Sequence, residues 1–596
     1  MQSPGSDQAG QRLRGALRTG RHRYRVLAGQ ARPDLQRSID AIVGKRIAVV
    51  IGVAPQLQIS GHVRHYGSVR SCDVLVVGAG PTGLTLAASL QRWGVSVRIV
   101  DRSADRVSES RALAVQPRTL EVLQTMGLAD ELIARGNPAS QLRIHGAGRV
   151  AKAQLFDIGV SDTRFPFLLF VSQAETEAVL AQTLTAGSCR VERGVELVSY
   201  QQADSDVICS LRHPEGELEQ VRVRYLAGCD GMNSTVRTTE GIEFAGARYP
   251  QTFLLADLEV DGLEAGTVNA FLTAAGPLLF FPLDRPAPWR VIAMRADSEG
   301  GDNQDAVLGE LQYLTEIASN GRLRLHEPVW TSAFRIQHRA ARQYRRGRAF
   351  LAGDAAHVHS PVGAQGMNTG MQDAVNLAWK LALVCRDQAH PSLLASYDAE
   401  RRPVGEYVLK FTDRAFSMAT SRQAVAQLVR ARVAPRLLPL ALHLRPGRSV
   451  AFRTVSQLGV RYRSSPAVQA GATASRRTPR PGDRLPDAPV VVDGRSSWLQ
   501  TELGAPAFHL LLCGPDRWDE AAVTALEKRY AGVLEVVRLG RAPTRGVLYT
   551  PDGVALRRLR VSDCATLLVR PDGYLATRTD DAVLDDARRY LQTWLR

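Results

Sequence analysis

Lysine is nearly missing from this chain. Lys45, Lys152, Lys380, Lys410 and Lys528 are the five lysines among 75 basic residues, and the rest are arginine. An arginine excess of that size reflects a GC-rich genome more than a physical demand, which discounts part of the formal charge of +16. The charge is also uneven. Residues 1–70 hold twelve basic and three acidic residues, or +9 of the +16, so the body is only mildly basic and nucleic acid is not an expected partner. Long apolar runs are absent too: the stretch 47–54 is far short of the ~20 residues a membrane span requires, so no membrane partner is expected. Cysteine is sparse and scattered. Cys72, Cys189, Cys209, Cys229, Cys385, Cys513 and Cys564 make an odd number with no C-x-x-C pair, which argues against a disulfide framework and a zinc site. A reduced, cytoplasmic location is the natural expectation. The Arg-rich N-terminus lacks the apolar stretch of a secretory signal.

What is present is ordinary globular material. The 596 residues are 45% hydrophobic and 22% charged. That excludes a mainly disordered or fibrous chain and leaves room for two to four domains at roughly 150 residues each. Residues 1–70 show little periodicity, and two readings stay open for them: a disordered basic extension or an artefact of a start codon placed too far upstream. Residues 72–77 read as a buried parallel strand, 83–93 as a buried helix and 95–100 as a second strand, forming one βαβ unit. Strand-like runs recur at 221–229, 253–260, 268–273, 277–283 and 289–295. The hairpin-like spacing of the last four predicts an antiparallel sheet inserted into the first domain. A strand at 348–352 leads to a Gly-rich loop and a helix over 371–385, where Met371, Ala374, Val375 and Ala378 form a packed stripe. Residues 401–445 read as helical. Ser, Pro, Gly and Arg cluster over 465–489 as a boundary, followed by strands at 508–513, 533–539, 564–569 and 574–577 and a helix over 581–595.

Gly78-Ala79-Gly80-Pro81-Thr82-Gly83 is a G-x-G-x-x-G between strand and helix. Its glycines permit a tight turn, close approach of a pyrophosphate and close helix–strand packing, and the helix N-terminus faces the phosphates. Asp101 ends the second strand, twenty-three residues after Gly78, where a carboxylate can accept ribose hydroxyls; Arg102 follows it. An acid there disfavours a 2′-phosphate, so the site suits FAD or NAD.

Two later segments select between them. Residues 226–237 carry Asp230-Gly231 and Arg237 after a strand, and residues 348–357 carry Gly353-Asp354 after another, followed by Pro361, Gly363, Gly366, Met367 and Asn368. With the first fingerprint, these motifs over residues 71–410 resemble the class A flavoprotein monooxygenases of the p-hydroxybenzoate hydroxylase type. The resemblance implies an α/β fold: a Rossmann-type FAD-binding domain with an inserted antiparallel-sheet substrate domain. It implies non-covalent FAD, NADPH or NADH as electron donor, O₂, an aromatic small-molecule substrate, and a flavin 4a-hydroperoxide as the oxygenating species. Gly78, Gly80, Pro81, Thr82, Gly83, Asp101 and Arg102 match ADP-binding positions. Arg111 and Gln173 match a flavin-contacting arginine and glutamine. Asp354, beside Gly353, matches the carboxylate that binds the ribityl chain. Gly366, Met367 and Asn368, preceded by Pro361 and Gly363, match the loop at the flavin pyrimidine edge. Asp230, Gly231 and Arg237 match a motif linked to both FAD and NAD(P)H. No catalytic base is assigned, and His357 is expected to make a structural hydrogen bond. No metal is expected.

In the expected substrate sheet, Phe271, Leu279, Phe281, Pro282 and Trp289 are candidates for the pocket wall, with Leu279 and Phe281 on one face and Phe280 and Pro282 on the other. The segments 481–489 and 567–576 resemble the thioredoxin-like C-terminal domain of the larger family members, such as phenol hydroxylase and the aromatic polyketide oxygenases. Without C-x-x-C it is redox-inactive. The expected divisions are 1–70, the basic extension; 71–245, the first segment of the FAD-binding domain; 246–339, the substrate sheet; 340–465, the second segment of the FAD-binding domain with a helical stretch; 466–480, a linker; and 481–596, the thioredoxin-like domain. A monomer or homodimer is expected. The expected reaction is hydroxylation of a phenolic or quinonoid polycycle in secondary metabolism. Baeyer–Villiger insertion, antibiotic inactivation and, in a different class, a basic non-enzymatic binding protein are the alternatives.

Overall fold

The computed structural model describes residues 70–105, 112–139, 141–146, 149–154, 160–187, 189–273, 276–295, 301, 303–360, 363–420, 449, 452–469, 478–550 and 552–596. Residues 1–69 of the basic extension, Arg111, Pro361 and residues 421–445 of the expected helical stretch 401–445 lie outside them.

The Val-rich segment Arg70–Val77 is the central strand of a sheet and pairs in parallel with Val97–Asp101 on one side and Leu218–Gly228 on the other. Val191–Arg193 extends the sheet beyond the second strand and Ala349–Leu351 beyond the third, both in parallel. Helix Pro81–Arg92 connects the first two strands and buries Gly83 through Leu90, as its nearly all-apolar composition requires. This is the expected Rossmann-type layer. Residues Glu196–Gln202 and Val207–Arg212 add an antiparallel arm to it that the sequence pattern did not single out.

The second sheet is eight-stranded and mostly antiparallel. Its two longest strands, Phe244–Asp261 and Arg324–Ala341, pair along most of their length. Pro277–Pro282 and Trp289–Met294 form the expected hairpin, joined by Thr267–Leu272. The sheet also reaches outside 246–339, recruiting Gln141–Gly146, Arg149–Gln154 and the short His357–Val358. Arg324–Ala341 was not expected because its many polar residues break the alternation. Helix Gln304–Ser319, capped by the Asn303 side chain on Ala306 N–H, covers one sheet face with Val307 and Leu311.

The third sheet is seven-stranded and belongs to the C-terminal region. Phe508–Cys513 lies at its centre, parallel to Leu534–Gly540 and antiparallel to Ala565–Val569, which pairs in turn with Leu575–Thr579. Helix Asp585–Trp594 packs Tyr590 and Leu591 under this sheet, a thioredoxin-like arrangement. All seven cysteines are free.

Candidate functional site

Three loops converge at the carboxyl ends of the parallel strands, where open α/β sheets bind ligands. The first is the glycine loop. Gly78 has φ +99°, and a Cβ there would collide with Cys229 O and lie 2.9 Å from Asp230 Cα, so only glycine lets the first and second loops touch. A Cβ on Gly80 would meet nothing within 4 Å, and no side chain caps the helix that begins at Pro81. Asp101 accepts from Ala79 N–H at 2.7 Å and Ser103 N–H at 2.8 Å, which folds its carboxylate against this loop. Arg102 is exposed.

The second loop carries Asp230. One carboxylate oxygen accepts from Thr235 N–H at 2.7 Å and Val236 N–H at 3.2 Å, while the other is buried without a partner among the described residues. Burial raises its pKa above the ordinary carboxylate range, against the pull of those hydrogen bonds. Gly231 turns the chain at φ +75°. Arg237 is buried and donates to Met232 O at 2.7 Å and Ala355 O at 2.8 Å, with its guanidinium 3.9 Å from the Phe244 ring centroid. It therefore ties the second loop to the third.

In the third loop, Thr82 fills the space left by Gly353 and Gly370, since a Cβ on either would collide with its hydroxyl. Gly353 N–H donates to Asp373 at 3.1 Å, and Asp354 beside it is exposed at the rim. The loop ends in helix Gly366–Cys385, whose N-terminus also has no side-chain cap; a Cβ on Gly366 would enter open space. Asn368 is fully buried: its amide donates to Ala114 O and Ala364 O, both at 2.8 Å, and accepts from Gln116 N–H at 2.8 Å. Gln116 donates to Gly363 O at 2.7 Å. Asn368 thus holds the loop with its side chain and leaves the backbone of the first helical turn to face a ligand. Met367 packs at the edge of the core. Gln173 opens helix Gln173–Ala186 and donates to Glu177 at 2.8 Å, just after Val171 N–H bonds Leu113 O.

A buried network that the motifs did not reveal supports the third loop. Asp373 accepts from His357 Nε2 at 2.6 Å and Arg401 Nε at 2.6 Å, and all three side chains are fully buried. Burial opposes ionisation of Asp373, but Arg401 and His357 outweigh it and hold its pKa below the usual range. His357 makes the structural hydrogen bond expected of it. A second charged pair sits on the large sheet. Arg290 makes a fork onto Asp257, with both bonds at 2.6 Å, and Trp330 Nε1 donates to the same carboxylate at 2.8 Å. Arg290 Nη1 reaches Ala112 O at 3.1 Å, fixing the chain next to Arg111.

The pocket-wall candidates separate by face. Phe281 lies 5.7 Å from Phe170 between ring centroids and joins the cluster that holds Phe253, Leu255, Ile292, Trp330 and the third-loop residue Ala364, on the face toward the three loops. Leu279 pairs across the strand with Ile292 and shares that face. Phe271 and Trp289 do not: both belong to the cluster under helix Gln304–Ser319, where Phe271 also stacks on His145 at 4.1 Å. Pro282 is buried and shares the parity of Phe280, which lies in that helix-side cluster. The alternation was legible, but only the covering helix reveals which face is which.

The chemistry fits a dinucleotide flavin. Two uncapped helix N-termini offer N–H groups and positive dipole ends to phosphates and an electron-rich ring edge, Gly80 and Gly366 leave open space for close approach, and Asp101 ends the second strand. Among the described residues no group of His, Cys, Asp and Glu could hold a metal, and no helix is long and apolar enough to cross a membrane.

Comparison with known proteins agrees with this geometry. Residues 71–412 match the model of a family described as FAD binding domain, and residues 478–596 match one described as aromatic-ring hydroxylase, C-terminal. A 6-methylpretetramide 4-monooxygenase of Streptomyces rimosus is 38% identical, over 85% of this chain and 90% of that protein. An anhydrotetracycline monooxygenase of the same species is 33% identical, over 88% of this chain and 98% of its own. The crystal structure of an aklavinone-11 hydroxylase with FAD and aklavinone superposes with a TM-score of 0.71 at 27% identity, covering 88% of this chain and 99% of that one.

Proposed function

The chain belongs to the FAD binding domain family and is an FAD-dependent monooxygenase, and from that premise we propose that it hydroxylates a phenolic or quinonoid polycycle of the polyketide type, taking electrons from NADPH or NADH. The observation that carries the substrate class is the apolar cluster on the loop-facing side of the large sheet. It joins Leu113 and Ala114 beside the third loop and Ala364 within it to Phe281, Phe253, Trp330 and Phe416. Its aromatic content suits a multi-ring substrate better than a single phenol. The tetracycline-pathway relatives support the same class.

FAD, when bound, supplies electron transfer from the nicotinamide and the activation of O₂. The protein's own residues bind, orient and shield. The glycine loop and the helix that begins at Pro81 would hold the pyrophosphate, Asp101 the ribose, Asp354 the ribityl chain, and the backbone of Gly366–Asn368 the ring edge. Phe281 and its neighbours would line the substrate side of that site and exclude water from it. No side chain is required as a general base for this reading.

The test is a screen of NAD(P)H oxidation against aromatic polyketides, including tetracycline- and rifamycin-like compounds, with the product structure solved by NMR. The expected result is substrate-stimulated oxidation with a new ring hydroxyl. An inserted ring oxygen would instead establish Baeyer–Villiger chemistry, and stimulation by single-ring phenols alone would refute the polycyclic reading.

A further inference from the structure

Helix Gly366–Cys385 begins at the FAD site and is buried along nearly its whole length, yet one side of it is polar. Thr369, Asp373, Asn376 and Lys380 follow one another at steps of four, three and four residues, a single stripe on a helix of 3.6 residues per turn. Buried polar groups must find partners. Two consecutive residues of helix Ala395–Thr420 supply them. Arg401 serves the end nearer the flavin, bonding Asp373 and, at 3.1 Å, Thr369 O. Glu400 serves the far end, accepting from Asn376 at 2.7 Å and Lys380 at 2.8 Å.

Glu400 is not complete without the C-terminal domain. Arg570 donates to both its oxygens, at 2.7 and 2.8 Å, and Arg570 also bonds Asp572. Asp572 in turn accepts from Asn376 at 3.1 Å and Trp379 Nε1 at 3.3 Å. The four charges, Lys380 and Arg570 against Glu400 and Asp572, balance in a site with almost no water contact. Burial pulls Lys380 down to about 8, partly offset by Glu400, which is itself held well below its ordinary range by Arg570 and Lys380 against the effect of burial.

A second route leads to the same place. Arg118 donates to Asp572 O at 2.5 Å and to Glu121 at 2.9 Å, and Arg484 donates to Glu121 at 2.9 Å. Arg118 lies on helix Pro117–Thr125, two residues after Gln116, which holds Gly363 O and Asn368. Both routes start at the turn 570–573; the first ends at Thr369 O and Gly353 N–H, the second at the loop 363–368.

We infer that the C-terminal domain, which has no redox cysteine pair, is a working part of the FAD site, and that Arg570 and Asp572 are positioning residues for the flavin-side helix and the Gly353-Asp354 loop. Neutralising Arg570 leaves an excess negative charge at the far end of the helix. The stripe must then shift or take up a proton, and Arg401, adjacent to Glu400, carries the shift to Asp373 and Gly353 N–H.

The test compares Arg570→Met, Arg570→Lys and Asp572→Asn in the full-length chain. FAD dissociation constants are measured by flavin fluorescence, the midpoint potential and visible spectrum of bound flavin are recorded, and folding is checked by circular dichroism and thermal unfolding. We expect FAD to bind at least tenfold more weakly in Arg570→Met, with a shifted flavin spectrum, and Arg570→Lys to recover part of the loss because it keeps the charge but not the two-point contact. Should Arg570→Met fail to fold, a threefold or greater weakening in the folded Arg570→Lys and Asp572→Asn proteins supports the inference. FAD affinity within threefold of wild type and an unshifted midpoint potential in the folded variants, with only the unfolding temperature lowered, would overturn it. These readouts need no substrate, so they stand apart from the polycyclic reading.

Discussion

Replacing Arg290 by methionine isolates the charged pair of the large sheet. Asp257 is 0% exposed and Arg290 1% exposed, and the two residues lie directly opposite each other on neighbouring strands. The substitution removes the two-point contact and leaves a buried carboxylate with, among the described residues, Trp330 Nε1 as its remaining side-chain donor. Breaking a buried pair by deleting one partner costs about 3–5 kcal/mol, because the remaining charge is uncompensated. Replacing both by apolar groups costs far less, so Arg290→Met with Asp257→Leu should recover most of that stability. Neither form restores the bond to Ala112 O, so both should hold the chain beside Arg111 less firmly and bind FAD more weakly than wild type. Urea unfolding of the two single variants and the double variant gives the coupling energy, and fluorescence titration gives FAD affinity. A loss below about 1 kcal/mol in Arg290→Met would refute the claim that this pair is a buried, mutually dependent unit. FAD affinity unchanged in the double variant would refute the role given to the Ala112 contact.

Asp354→Ala is expected to weaken FAD roughly ten- to hundredfold, the equivalent of one charge-assisted hydrogen bond of about 1.5–3 kcal/mol; equilibrium dialysis checks it, and unchanged occupancy would show that the Gly353-Asp354 motif does not contact the cofactor. Phe281→Ala should raise KM for the polycyclic substrate about tenfold, the usual yield of a lost aromatic contact, whereas Phe271→Ala should cost about 3–5 kcal/mol of stability and leave KM nearly unchanged, because Phe271 faces the helix side. Steady-state kinetics with urea unfolding separates the two. Asp487 is 2% exposed, and burial pushes its pKa up from 3.8 to about 7. Its folded pKa lies above its unfolded one, so the folded state binds the proton more tightly: the stability it contributes is fully present below about pH 4 and is lost as pH rises through 7. The limit of that effect is on the order of 4 kcal/mol. Asp487→Asn should therefore flatten this part of the stability profile between pH 4 and 8, and urea midpoints across that range test it. A profile unchanged by the substitution would contradict the assignment.

Much of the candidate site was legible because it is written in local backbone. Gly78 is required by the φ of one turn and by the approach of the next strand's loop, and strand, turn, helix and Asp101 are contiguous. The strands at 72–77, 277–283, 289–295 and 508–513 announced themselves because burial on one or both faces leaves a short-range apolar pattern. Arg324–Ala341 carried no such pattern. Its partner is Phe244–Asp261, some eighty residues earlier, and pairing along that strand, not its own composition, makes it a strand. The faces of Pro277–Pro282 were separable by alternation, but only helix Gln304–Ser319 showed that Phe271 and Trp289 point away from the loops while Phe281 points toward them. In helix Gly366–Cys385 the sequence reading marked only the apolar stripe, and the polar stripe Thr369, Asp373, Asn376 and Lys380 went unread. Its partners carry no local mark, because Arg401 is 28 residues from Asp373 and Arg570 is 170 residues from Glu400. Sequence by itself determined where the backbone must turn to receive a dinucleotide; only the tertiary structure decided which distant charges neutralise one another, because a buried charge selects its partner by proximity in space and carries no mark of it along the chain.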